Sequence, residues 1–126
     1  MIAGTGIDLC EVDRMERALA APHGARLRER VFTAAEIAYA ERKANRAERY
    51  AARFAAKEAG MKALGTGWRN GVHWQDLEVA NLPSGRPTLR LHGKAAEIAE
   101  RLGVRNISLS LTHTAGQAMA LVILEA

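Results

Sequence analysis

An α+β fold in a single domain spanning residues 1–126 is predicted by three features: helical periodicity in the first half, period-two alternation with short turns in the second, and no linker, repeat or low-complexity tract. N-terminal helices are expected to pack on a mainly antiparallel sheet. The 126 residues are 48% hydrophobic and 25% charged, which suffices for one core without a metal or disulfide to staple it. Only 5% are aromatic and the apolar content leans on Ala, so close packing is expected, supplemented by association between subunits.

In chain order, Ile2 to Cys10 reads as a short buried strand in which Gly4 and Gly6 admit close approach of another backbone. Glu11 to Ala21 follows as a short helix closed by Pro22. Phe32-Thr33-Ala34-Ala35-Glu36 has the form of a capping box, with Thr33 as N-cap of a helix reaching about Ala44. Ala47 to Leu64 is an Ala-rich helix stopped by Gly65, and Gly65 to Asp76 is the longest loop-like stretch. Leu77 to Ala80 and Thr88 to Leu91 read as short strands around the turn Ser84-Gly85-Arg86-Pro87. Gly93 to Leu102 is amphipathic and ends at Gly103. Ile107, Leu109 and Leu111 alternate with Ser108, Ser110 and Thr112, as in a half-buried strand, and Gln117 to Leu124 is a last apolar strand after the Ala115-Gly116 turn.

Eighteen Lys and Arg against fourteen Asp and Glu give a formal charge of +4, which favours anionic partners without naming one. Arg14 through Arg49, including Arg17 and Arg26, fall on short helices with intervening Glu. Such a run reads as a solvated face, a docking surface for an acidic protein, or a nucleic-acid patch; the lack of aromatics or a recognisable binding module argues against the last. A single cysteine, Cys10, cannot close an internal disulfide and reads as a small buried hydrophobe in a reducing compartment. MIAGTGIDLCEVDR carries no basic leader, and no apolar run approaches the ~20 residues of a membrane span. A soluble, cytoplasmic protein is expected, with no membrane partner.

Asp8 is a carboxylate at the end of an otherwise apolar strand. It reads either as a cap for the helix beginning near Glu11 or as a metal ligand or acid–base group. Arg53, Lys57, Glu58 and Lys62 are set among alanines on the longest helix, where Glu58 and Lys62 share a face flanked by Lys57. One reading is a solvated face with a helical Glu–Lys pair. The other starts from Ala51, Ala52, Ala55, Ala56, Ala59 and Ala63, which leave room for a ligand or another backbone; Gly60 also hints at tight packing. Two carboxylates from a strand end and a helix make a hard oxygen site suited to magnesium, with the three cations complementing phosphates. Zinc is disfavoured, since there is no Cys pair and no paired His. His113 continues the Ile107, Leu109, Leu111 face and reads as a partly buried side chain or as a donor to a ligand.

The combination resembles the holo-acyl-carrier-protein synthases, the small 4′-phosphopantetheinyl transferases of bacterial fatty acid synthesis. The matching positions are Gly6-Ile7-Asp8 with Arg14, Phe32-Thr33 with Glu36, Arg53-Phe54-Ala55-Ala56-Lys57-Glu58-Ala59, Lys62, Gly65-Thr66-Gly67, Gly85-Arg86-Pro87 and Ser110-Leu111-Thr112-His113-Thr114. Gly60 and Met61 depart from the pattern. The resemblance implies the 4′-phosphopantetheinyl transferase fold, a homotrimer with sites between subunits, and magnesium held by Asp8 and Glu58. It further implies attack by a serine of acyl carrier protein on coenzyme A, with Lys57 and Lys62 joining the two carboxylates at the chemical step. Arg53, Lys62, Gly65, Gly85, Pro87, His113 and Thr114 are then expected at coenzyme A, and Arg14, Arg17 and Arg26 at the carrier protein. A non-catalytic basic module that binds an acidic protein or nucleic acid is the alternative.

Overall fold

The computed structural model describes residues 1–66 and 71–126. Gly67, one of the matched glycines, lies outside them. The chain runs β1 (Ile2–Glu11), α1 (Val12–Ala20), α2 (Gly24–Val31), α3 (Ala34–Glu41) and α4 (Arg46–Leu64), then a single 3₁₀ turn at Trp74–Asp76, β2 (Leu77–Asn81), β3 (Pro87–Leu91), α5 (Gly93–Arg101), β4 (Asn106–His113) and β5 (Gln117–Glu125). The predicted elements are all present, with two adjustments. The Arg-rich segment holds a separate helix at Gly24–Val31, and the helix capped by Thr33 ends at Glu41 rather than near Ala44. Glu41 explains that early stop: it accepts from Arg28, Arg46 and Tyr50, tying the chain where it turns into α4.

All strand pairs are antiparallel, but they form two sheets rather than one: β1-β5-β4 and β2-β3. α4 lies between them. Its alanines admit β1 on one side, where Gly4 and Gly6 rest on the backbone carbonyls of Ala63 and Ala59. Gly60, facing the methyl groups of Leu77 and Leu89, admits the β2-β3 hairpin on another. The close approach that these small residues signalled is therefore one of backbone and side chain within the chain itself. One buried cluster joins α4 to both sheets and α5, and a second, around Phe32 and Tyr50, lies beneath α1, α2 and α3.

β1 is not the buried strand expected from its composition. Gly4, Gly6, Asp8 and Cys10 point inward, while Ile7 and Leu9 on the other face are 53% and 50% exposed. Their partners on β5, Leu121 and Met119, are exposed as well, so the outer face of the larger sheet carries an apolar row. No described helix is long and apolar enough to cross a membrane.

Candidate active site

Asp8 lies on the inner face of β1, three residues before the strand's end, and does not cap the following helix; Glu11 is the N-cap of α1 and makes no side-chain cap. Glu58 and Lys62 stand one turn apart on α4. Because β1 rests directly on that helix, the Asp8 side chain meets both. Lys62 Nζ donates to Asp8 Oδ1 at 3.3 Å and to the Ile7 carbonyl at 3.1 Å. Asp8 Oδ2 is buried and, while Glu58 is ionised, accepts no hydrogen bond among the described residues. A proton on Glu58 turns that carboxyl into a donor to Asp8. Burial above all, then this hydrogen bond and the neighbouring Asp8 charge, push the Glu58 carboxyl up to about 7.

Two crowded carboxylates, one with an unsatisfied buried oxygen, are a donor set that a hard cation relieves. Magnesium fits it, since it takes one or two protein carboxylates and completes its shell with water and phosphate oxygens. Among the described residues no group of three or more His, Cys, Asp or Glu converges.

Glu58 also lines a cleft of about 570 Å³ whose walls include Leu9, Cys10, Arg14, Met15, Phe32 and Phe54. Phe54 is braced by Trp74, their rings stacked 5.1 Å apart. Arg14 is exposed at this cleft, whereas Arg17 and Arg26 are exposed on α1 and α2 without lining it. The Cys10 thiol, half-buried beside Glu58 and Asp8, is pushed up to about 11, chiefly by burial, and so stays protonated and unreactive.

Lys57 does not take the place expected of it. Its ammonium is fully buried, 2.7 Å from Glu36, and donates to the carbonyls of Leu77 at 2.6 Å and Trp74 at 3.2 Å. Burial pulls this lysine down against the carboxylate that holds its charge. Neither it nor Arg53 is part of a solvated face. Arg53 is 4% exposed, lies over the Tyr39 ring at 3.9 Å and donates to Asn81 Oδ1 at 2.9 Å. Asn81 Nδ2 in turn donates to the Gly85 carbonyl at 3.0 Å, so Arg53 braces the β2-β3 turn.

The remaining predicted positions sit on separate elements of the chain. Gly65 ends α4 in the left-handed region, at φ 78°, with open space around it. Gly85 is exposed in the β2-β3 turn at φ 91°, and Pro87 begins β3. His113 ends β4 exposed, its Nδ1 3.4 Å from Glu48, and the Thr114 N–H donates to the Gln117 carbonyl across the next turn. Sequence reasoning put Asp8, Glu58 and Lys62 at one place, and the three side chains meet there. It missed Glu36 as the partner of Lys57, for which the capping-box motif gave only the local role, and it missed the aromatic wall of Phe32 and Phe54.

Residues 4–122 match the 4′-phosphopantetheinyl transferase superfamily. The chain is 66% identical over 125 residues to a holo-[acyl-carrier-protein] synthase of Solibacter usitatus, with 99% of each chain covered. It is 55% identical, with the same coverage, to one of Koribacter versatilis. Among solved structures, holo-[acyl-carrier-protein] synthase of Neisseria meningitidis superposes with a TM-score of 0.89 at 30% identity over the whole of both chains. The Helicobacter pylori enzyme, in complex with coenzyme A, superposes at 0.83 and 27% identity, covering 96% of this chain and 99% of that one. With a match that runs through nearly its whole length and a fold shared throughout, the chain belongs to the 4′-phosphopantetheinyl transferase superfamily.

Proposed function

We propose that the protein transfers 4′-phosphopantetheine from coenzyme A to a serine of apo-acyl carrier protein, giving holo-acyl carrier protein and adenosine 3′,5′-bisphosphate, in cytoplasmic fatty acid biosynthesis. The observation that carries this reading is the meeting of Asp8, Glu58 and Lys62 beside an apolar cleft with an arginine at its rim, in a chain two-thirds identical to a holo-[acyl-carrier-protein] synthase.

The transferred phosphorus is ringed by anionic oxygens, so attack by an alcohol needs charge neutralisation and alignment more than a covalent enzyme group. Magnesium, held by Asp8 and Glu58, would supply Lewis-acid stabilisation of charge on the pyrophosphate. Lys62 supplies a second positive charge: its side chain is 56% exposed, and its ammonium can turn from Asp8 toward phosphate. The walls at Phe32 and Phe54 exclude water. The serine oxygen bonds to the β-phosphorus and gives up its proton to solvent, while the bond from that phosphorus to the bridging oxygen breaks and its electron pair leaves on that oxygen with adenosine 3′,5′-bisphosphate.

Gly65 and Lys62, the turn holding Gly85 and Pro87 with Arg53 behind it, and the turn holding His113 and Thr114 are the coenzyme contacts in this reading. They are brought to shared clefts by assembly into a homotrimer through the apolar row on the outer sheet face. Arg14, with Arg17 and Arg26, forms the basic surface for the acidic carrier.

Mass spectrometry tests the activity. Incubation with coenzyme A, magnesium and apo-acyl carrier protein should add one phosphopantetheine to the carrier. An unmodified carrier, when a control transferase modifies the same preparation, would refute the activity and leave a basic binding module in its place.

A further inference from the structure

The buried Glu36–Lys57 pair takes no part in the chemistry above, yet it joins three elements at one point. Glu36 Oε1 accepts from Lys57 at 2.7 Å and from the Thr33 N–H at 2.9 Å, and Oε2 accepts from the Val79 N–H at 2.8 Å. Lys57 donates further to the carbonyls of Leu77 and Trp74. The start of α3, the middle of α4 and the first residues of β2 are thereby fixed to one another. Thr33 extends the connection: its hydroxyl donates to Glu78 at 2.8 Å, and Glu78 contacts His92 at 3.1 Å.

Stability alone is a poor reason to keep such a pair, since apolar residues of equal volume commonly serve as well or better in a core. Its location supplies another reason. Lys57 is bonded to Glu58, and the Thr33 N–H held by Glu36 belongs to the peptide unit that begins at Phe32, a wall of the cleft that Glu58 lines. A long lysine anchored to fixed carbonyls sets the rotation of α4 about its axis, and rotation decides whether the next residue points at Asp8.

We infer that Glu36 and Lys57 are positioning residues: their pair holds α4 at the rotation that presents Glu58 to Asp8, and holds Phe32 in the facing wall. The inference rests on the reading of Glu58 as a cation ligand. It replaces a direct role for the Lys57 charge with an indirect one.

The test uses Glu36→Asp, which keeps both charges but shortens one arm of the pair, and Glu36→Gln/Lys57→Met, which removes both charges together. Each is assayed for phosphopantetheine transfer and, without coenzyme, for Mn²⁺ binding by electron paramagnetic resonance. In variants that still unfold cooperatively, kcat should fall about tenfold or more and Mn²⁺ binding weaken by about as much, with the carrier KM nearly unchanged, as for outer-shell partners of metal ligands. Normal kcat and normal Mn²⁺ affinity in folded Glu36→Asp would overturn the inference. So would full kcat in Glu36→Asp beside a large loss in Lys57→Met, the pattern of a directly acting ammonium. If the unaltered protein transfers nothing but its Mn²⁺ binding still weakens in Glu36→Asp, the positioning role stands and the transferase reading falls.

Discussion

Gly6 of β1 rests on the carbonyl oxygen of Ala59 in α4 so closely that a methyl group on the glycine would overlap that oxygen. Gly4 stands in the same relation to Ala63. Two bare backbones in contact set the distance between strand and helix, and Asp8, the next inward residue after Gly6, inherits it. The reach of Lys62 to Asp8, 3.3 Å, depends on residues that carry no chemistry of their own.

Gly6→Ala should therefore cost more activity than stability. Overpacking of this kind typically costs about 1–3 kcal/mol, relieved here only by moving β1 off α4. Thermal unfolding should show a lower but cooperative transition, while transfer at saturating magnesium falls well beyond the loss of folded protein. Normal rate and melting temperature in Gly6→Ala would mean that this contact does not set the site.

The Glu58 carboxyl gives a pH dependence with a definite sign. Its folded value of about 7 lies above that of an ordinary glutamate, so at intermediate pH the native state holds a proton that the unfolded chain has lost. Its contribution to stability is present at low pH and lost as pH rises through 7. The metal-free protein should melt higher at pH 5 than at pH 8, and Glu58→Gln should flatten that difference. Metal affinity should rise over the same range as the proton is displaced. Asp8→Asn and Glu58→Gln should each lower the rate by orders of magnitude and raise the magnesium needed for half-maximal rate. A full-rate double variant would remove the cation site.

Much of this geometry was legible in the sequence where the signal is local. Thr33 and Glu36 form both halves of the predicted capping box, Gly65 ends α4 as foreseen, and the Ile107 to Thr112 alternation became β4. Lys57 was misread because adjacent residues on a helix give no sign of which one turns inward. Its partner lies 21 positions earlier, and only the packing of α3 on α4 joins them. Gly24–Val31 has few apolar residues to set a period, chiefly Leu27 and Val31, so its limits were invisible. Ile7 and Leu9 look the same in sequence whether they face a core or solvent. The division into two sheets lies in strand pairing, which no single segment encodes.

Among the described residues, Arg14 is the arginine that lines the cleft beside Glu58, and its exposed charge is suited to steering an acidic carrier into position. Arg14→Glu should raise the carrier KM several-fold or more and leave the coenzyme A KM almost unchanged. Added salt should narrow the gap between variant and wild type, because exposed charges are screened. Equal effects on both KM values would remove Arg14 from the docking surface, as would a carrier KM indifferent to the substitution.

The outer face of the larger sheet places Ile7 opposite Leu121 and Leu9 opposite Met119, with exposures between 36% and 53%. Leaving four such side chains in water forgoes burial worth about 25 cal/mol per Å², which contact between subunits would recover. Light scattering at micromolar concentration should give a mass near three chains. Leu121→Glu is the sharper probe, since a carboxylate at this exposed position costs the isolated subunit little but sets an unpaired charge in a dry interface. The variant should unfold cooperatively yet scatter as a single chain. Its rate should fall with its mass if His113, the Gly85 turn and the Asp8–Glu58 pair serve one cleft from different subunits. Retained assembly in Leu121→Glu would show that subunits meet elsewhere, and a fully active monomer would show that each chain holds a complete site.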